Sequence, residues 1–266
     1  MPDYDEQELL SVAGALADAA RVPILKHFRS SGLSADNKLA EGFDPVTIAD
    51  KEAETAMRAV LAARRPNDGI FGEEQGQSHG STGLTWVLDP IDGTRGFLAG
   101  APVFGVLIAV HDGDRPVLGM IDQPYIGERF AGWSAGATLT RGSDVRALRT
   151  RHDVALDQAI VMTTFPEVGT PQDKAGFDAV ASQAKLTRYG MDCYGYALVA
   201  LGQVDLVIES GLNAYDIQGP IAVVEAAGGV VTNWRGEPCD QGGQAIAAGC
   251  PKLHARALEL LAPFAA

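Results

Sequence analysis

Apolar side chains at Leu9, Val12, Ala13, Leu16, Ala20 and Ile24 recur at helical spacing and predict an amphipathic helix over 6–28, one face of which packs on the body of the protein. A polar, glycine-containing loop over 30–42 follows, with Lys38 exposed in it. The segment Asp44-Pro45-Val46-Thr47-Ile48-Ala49-Asp50 leads into a second helix that runs to about Arg64, because Pro66 disfavours helical backbone just before it. Ile70-Phe71-Gly72 reads as a short strand delivering Glu73 and Glu74 at its end, and the Gly/Ser-rich stretch 76–83 reads as a surface loop. Apolar runs over 103–111 and 117–123, joined by Asp112-Gly113-Asp114, predict antiparallel strands that 129–134 and 138–141 continue.

The composition shifts near Arg146, which divides the chain into an N-terminal α+β domain (1–145) and a C-terminal α/β domain (146–266). Beyond it the pattern predicts strands over 160–164, 186–189, 204–209, 230–232 and 245–248. Helices are expected over 171–184, 193–201 and 217–227 and from 252 onward. The second half therefore alternates helix and strand, whereas the first segregates them.

Composition narrows the function. A net charge of −13 argues against nucleic acid or an anionic membrane as partner. It leaves a small phosphate ester open, because bound metal ions reverse the local field. Cys193, Cys239 and Cys250 are scattered and form no CxxC, which opposes a disulfide framework or a zinc site and fits a reducing cytoplasm. No stretch is apolar enough to span a bilayer, and the acidic N-terminus lacks the basic start of a signal peptide.

The candidate chemistry centres on Trp86-Val87-Leu88, an apolar strand that stops at Asp89-Pro90-Ile91-Asp92-Gly93-Thr94. Pro90 has no N–H and a fixed φ, so it ends regular pairing and holds two carboxylates three residues apart on a stiff turn. Close unpaired carboxylates repel, and a hard cation such as Mg2+ relieves that repulsion. Gly93 and Thr94 then offer amides and a hydroxyl to an anion. A calcium loop is excluded, since Gly93, Arg95 and Gly100 stand where an EF-hand needs oxygen ligands and its closing Glu. Glu73, Asp50 and Asp216 are the acids that could converge on this turn. Each also fits a plainer role: Glu73 on the surface, Asp50 and Asp216 as helix caps. Tyr215 and Trp86 read as wall or core. His27, His79, His111, His152 and His254 sit in contexts that suggest no catalytic base, and no Ser or Cys nucleophile arrangement is evident.

Gly72-Glu73-Glu74, Asp89-Pro90-Ile91-Asp92-Gly93-Thr94 and Tyr215-Asp216 followed by Glu225-Ala226-Ala227-Gly228-Gly229 resemble, in order and separation, the motifs of the inositol monophosphatase family of Mg2+-dependent phosphatases. The similarity extends over nearly the whole chain. It implies a layered αβαβα sandwich, usually a homodimer and often inhibited by lithium. It also implies that Glu73, Asp89, Asp92, Asp216 and the Ile91 carbonyl ligate two or three Mg2+ ions. On the same resemblance Thr94, with Glu73, positions the attacking water, Asp50 stands behind it, and the Gly93 and Thr94 amides hold the phosphate. Two departures, Tyr215 for the usual Trp and Gln218-Gly219 for a small pair, remove no ligand but change the wall beside Asp216.

Within the family the chain is similar to the histidinol-phosphate phosphatase branch. The residues behind this are Asn37-Lys38 leading to Gly42-Phe43-Asp44-Pro45-Val46-Thr47, Gly93-Thr94-Arg95-Gly96-Phe97-Leu98-Ala99-Gly100, Ile121-Asp122-Gln123-Pro124 and Met191-Asp192-Cys193-Tyr194. L-Histidinol phosphate carries an ammonium and an imidazole, so its site needs carboxylates beyond those serving metals. Asp192 and Glu209 are the candidates, through charge-assisted hydrogen bonds. Asp192 as a helix cap and Glu209 as a plain strand end are the alternatives, and a glutamate also suits sugar hydroxyls. The rival functions are an inositol-1-monophosphatase or broad sugar phosphatase (fructose 1,6-bisphosphate included), a nucleotidase acting on 3′-phosphoadenosine 5′-phosphate, and a non-catalytic metal-binding protein. The last predicts a lost metal carboxylate, and none is missing.

Overall fold

The computed structural model describes residues 4–37 and 45–266, so Lys38 and the Gly42-Phe43-Asp44 part of the branch motif lie outside the described residues. Among the described residues, the first half runs α1 (Glu6–His27), β1 (Ala35–Asn37), β2 (Pro45–Thr47), α2 (Ile48–Arg64), β3 (Gly69–Gly72), β4 (Gly76–Ser78), β5 (Thr85–Asp92) and α3 (Thr94–Leu98). The meander β6 (Gly105–His111), β7 (Pro116–Gln123), β8 (Glu128–Trp133), β9 (Gly136–Arg141) and β10 (Asp144–Ala147) completes it. The rest runs β11 (Ile160–Thr163), α4 (Pro171–Ala181), β12 (Leu186–Tyr189), α5 (Cys193–Ala200), β13 (Leu206–Asn213), α6 (Ala214–Ala226), β14 (Val230–Thr232), β15 (Gly242–Ala248) and α7 (Pro251–Leu261).

The larger sheet is ordered β10-β9-β8-β7-β6-β5-β3-β4 and is antiparallel except where β3 runs parallel to β5. The smaller one, β12-β11-β13-β15-β14, is parallel across its first three strands. Strand alternation assigns the layers. In β6, Val106, Ile108 and Val110 point into a core shared with α1 and α2, while Leu107 points into a second core with α5 and α6. In β15, Ala245 and Ala247 close that second core from the opposite side, and Ile246 and Ala248 face a third one under α4 and α7. The result is the αβαβα sandwich, with α5 and α6 between the sheets.

α6 lies unusually close to the larger sheet. A Cβ at Gly119 of β7 would overlap the Gly219 carbonyl oxygen, and one at Gly132 of β8 would overlap that of Ala222. Gly219 itself has room for only a tight Cβ contact, 3.2 Å from the Ile108 oxygen. The departure Gln218-Gly219 is thus still small where it faces the sheet.

Several elements differ from the sequence-based expectation. The loop expected over 30–42 contains β1, which pairs antiparallel with β2. The loop over 76–83 begins with an edge strand, β4, because Gly76 at φ 69° turns the chain back along β3. The strand expected to end at Glu209 continues through an irregularity to Asn213, where Gly242 and Gly243 of β15 pair with it. The following helix starts at Ala214 and not at 217, because Asn213 and Asp216 form a reciprocal cap. Cys193, Cys239 and Cys250 are free and buried. No helix among the described residues is long and apolar enough to cross a membrane.

A buried ion pair ties β5 to the end of α2. Asp68 accepts from Arg65 Nε at 2.7 Å, Thr82 Oγ1 at 2.7 Å and the fully buried Trp86 Nε1 at 2.9 Å. Burial pushes its pKa up, but these donors outweigh burial and leave it below the usual carboxylate value. A depressed folded pKa stabilises fully above the unfolded value near 4, and that contribution is lost as pH falls through the lower folded value. Asp68→Asn is therefore expected to cost about 2 kcal/mol at neutral pH. It should also flatten the acid-denaturation curve below about pH 4, as followed by urea melts across a pH series.

Candidate active site

The turn after β5 meets the start of α6 and the start of α5 at one cleft of about 250 Å3. Carboxylate oxygens of Asp89, Asp92 and Asp216 lie within 4.8 Å of one another. Asp89 is buried, and its Oδ1 accepts the Ile91 N–H at 2.9 Å, an Asx turn that fixes the Asp-Pro-Ile-Asp corner. Burial, then repulsion from Glu73, Asp92 and Asp216, holds Asp89 well above the usual carboxylate range. Burial, then repulsion from Asp192 and Asp216, does the same to Asp92, although the Cys193 N–H donates to its Oδ2 at 2.6 Å. Asp216 receives the Asn213 N–H at 2.7 Å, so it both starts α6 and faces the cluster.

Glu73 lines the same cleft, and after burial it is the first of the neighbours that push the Asp89 pKa up. An oxygen-only set, buried at Asp89 and half-buried at Glu73, Asp92 and Asp216, that repels itself this strongly is the donor chemistry of a hard cation site. Asp50 is fully buried behind it, accepting from the Thr47 N–H at 2.8 Å as the acid of a capping box. Its other oxygen is 3.4 Å from Thr94 Oγ1, which also lies 3.0 Å from the Ile91 carbonyl. Capping and a site-facing position, alternatives on sequence alone, coexist in Asp50 and in Asp216.

Gly93 adopts φ +85° and N-caps α3, so its conformation is one that other residues take only at a cost. The Asp192 carboxyl packs over it, with Cγ 3.0 Å from where a Gly93 Cβ would stand. Asp192 occupies the cap position of α5 but makes no side-chain cap bond, and its own φ is +46°. That strain turns the carboxylate into the cleft, where burial raises its pKa to about 6 against the opposing charge of Arg95. Glu209 reaches the same cleft, 6% exposed. It accepts from the Thr164 N–H at 2.7 Å, Thr164 Oγ1 at 2.9 Å and Thr163 Oγ1 at 3.1 Å. Burial pushes its pKa up to about 7, with these donors opposing.

A family model described as the inositol monophosphatase family matches residues 5–263. The chain belongs to the inositol monophosphatase family. Within it, the chain is 39% identical over 272 residues to the chloroplastic bifunctional phosphatase IMPL2 of Arabidopsis thaliana, covering 98% of this chain and 77% of that one. It is 33% identical to a histidinol-phosphatase of Chlorobaculum parvum, over 85% of this chain and 86% of that one. The solved inositol monophosphatase of Zymomonas mobilis superposes with a TM-score of 0.85 at 38% identity, over 98% of this chain and 100% of that one.

Several residues that support the cleft of this phosphatase carry no motif. Glu54, fully buried in α2, accepts the Glu74 N–H at 2.7 Å and the Gln75 N–H at 3.2 Å, fixing the turn that bears Glu73. Gly72 is required there because its Cβ would overlap the Glu54 carboxylate. Arg29 donates from Nε (3.0 Å) and Nη2 (2.8 Å) to the Gly100 carbonyl just beyond α3. Phe28, Phe97, Phe104 and Tyr125 form a ring cluster about that helix. Of the branch motif residues, Asp122 pairs with Arg21 and Arg129, and Gln123 Nε2 donates to the Pro102 carbonyl at 2.7 Å, so both are architectural. Arg95 and Phe165 both line the cleft, and neither was legible as a site residue. Only the sequence position of Arg95, directly after Gly-Thr, hinted at one.

Proposed function

We propose that this phosphatase hydrolyses L-histidinol phosphate to L-histidinol and phosphate, with Mg2+ as cofactor. The observation that carries this reading is Asp192: a carboxylate outside the Asp89/Asp92/Asp216 cluster, turned into the cleft at the expense of backbone strain and unused as a helix cap. A carboxylate accepts from neutral hydroxyls too, but an ammonium complements its charge and makes the stronger, charge-assisted bond. A homodimer in a reducing cytoplasm, which three unpaired buried thiols favour, completes the reading.

Glu73, Asp89, Asp92, Asp216 and the Ile91 carbonyl would hold two or three ions, and their oxygen-only chemistry fits Mg2+. When bound, such ions supply Lewis acidity, neutralising phosphate charge and lowering the pKa of nearby water. The chain's own groups do the rest. Thr94 Oγ1, its proton directed to the Ile91 carbonyl or to Asp50, keeps lone pairs to accept from the attacking water. Glu73 orients that water from the other side, and Asp50 fixes the Thr94 rotamer. The Gly93 and Thr94 amides hold the phosphate as the bond to the leaving oxygen breaks. Asp192, with Glu209 beyond it, holds the ammonium of the departing alcohol.

The test is phosphate release from L-histidinol phosphate, inositol 1-phosphate, fructose 1,6-bisphosphate and glycerol 2-phosphate, with Mg2+ present and absent. We expect the highest kcat/KM on L-histidinol phosphate, and no turnover without the metal. A higher value on inositol 1-phosphate would overturn the substrate assignment. That second reading, a broader inositol or sugar phosphatase, draws support from Glu209, which already accepts hydroxyl donors. Asp192→Ala should raise KM for L-histidinol phosphate about tenfold, the scale of a lost charge-assisted hydrogen bond. The rise for glycerol 2-phosphate should be smaller, and equal rises on both esters would remove Asp192 from the amine site.

A further inference from the structure

Phe165 stands out on the rim of an acidic, polar cleft as a large apolar ring that is 41% exposed. It does not sit on a loose loop. The preceding residue, Thr164, is tied through both its N–H and its hydroxyl to Glu209. Three residues on, the Val168 N–H donates to the Phe165 carbonyl at 3.1 Å, and Val168 is buried at φ +43°. The ring is therefore presented to the cleft by backbone fixed on both sides. Against it, the Arg95 guanidinium of α3 lies over the ring face, 4.7 Å from the centroid. A guanidinium is a flat, delocalised cation, and its charge is felt at Asp192 in the same cleft. One of the protein's own side chains thus shows what the Phe165 face accepts: a planar nitrogen-bearing cation, in a cleft that the Asp192 carboxylate also lines.

We infer that Phe165 is a specificity-determining residue: its face receives a planar nitrogen heteroaromatic ring of the leaving alcohol, which takes the place of the Arg95 guanidinium. This deepens, and rests on, the reading of the site as one for L-histidinol phosphate, whose imidazole is such a ring. Glu209 and Asp192 line the same cleft as Phe165, so the ammonium and the ring are recognised together.

The experiment compares wild type, Phe165→Leu and Phe165→Tyr on L-histidinol phosphate and on O-phosphoethanolamine, which has the amine but no ring. Phe165→Leu is expected to raise KM for L-histidinol phosphate about fivefold more than for O-phosphoethanolamine, with kcat little altered, a size typical of one aromatic stacking contact. Phe165→Tyr, which keeps the ring, should restore it. Equal KM changes on both esters, or failure of Tyr to rescue, overturns the inference. If wild type does not turn over L-histidinol phosphate, the substrate assignment fails by itself. Pyridoxine 5′-phosphate against glycerol 2-phosphate then decides the ring site, with the same fivefold difference in support and its absence against.

Discussion

Asp92→Asn is expected to lower kcat/KM by roughly a thousandfold, the scale of removing one preorganised charge-stabilising group, while leaving the fold intact. The isosteric amide can still accept the Cys193 N–H that Asp92 Oδ2 accepts at 2.6 Å. It also takes one charge out of a clustered set that repels itself. The melting temperature without divalent ions should therefore stay level or rise. Mg2+ should raise the melting temperature of wild type and do far less for the variant, because the cation has lost one of its charged partners. Phosphate release and paired thermal melts check both halves. Full Mg2+-dependent activity in the variant would remove Asp92 from the machinery.

Gly119→Val is the second large effect. Any Cβ at this position meets the Gly219 carbonyl and the Ala222 side chain, so α6 must move away from β7 or the strand must buckle. Overpacking of this kind costs about 3 kcal/mol, and in a chain of this size that lowers the melting temperature by roughly 5–10 °C. The damage is not confined to stability. α6 begins two residues before Asp216, so lifting the helix draws that carboxylate away from Asp89 and Asp92. A higher Mg2+ concentration for half-maximal activity is the expected sign. Gly132→Ala, which presses on the same helix farther along, should cost stability with a smaller change in Mg2+ dependence.

How far the site could be read from the sequence depended on how local each residue's job is. Asp89, Asp92, Gly93 and Thr94 were legible because Pro90 and a glycine frame two acids within six positions. Asp50 and Asp216 stayed divided between capping and chemistry because a carboxylate has two oxygens and these residues use both. One oxygen of Asp50 receives the Thr47 N–H while the other faces Thr94. No spacing rule separates a cap from a cleft-facing acid when one side chain is both.

Asp192 was readable as an acid but not in its posture, since neither its positive φ nor its packing over Gly93, 99 positions away, leaves a local pattern. Glu54, Arg29 and Phe165 act across distant segments and leave no local pattern. The same holds for secondary structure. Long periodic helices such as α1 and α2 were expected nearly to the residue. The short hairpin β1–β2, the edge strand β4 and the prolonged β13 form because a distant or returning strand supplies the partner.

α3 has only five residues, bracketed by Gly93 and Gly100 in left-handed conformations, too short to hold a helical shape unaided. Its form is on loan from Arg29 and the rings of Phe28 and Phe104 beneath it. The corner bearing Thr94 therefore has little cooperativity of its own, and it can slacken while both sheets remain whole.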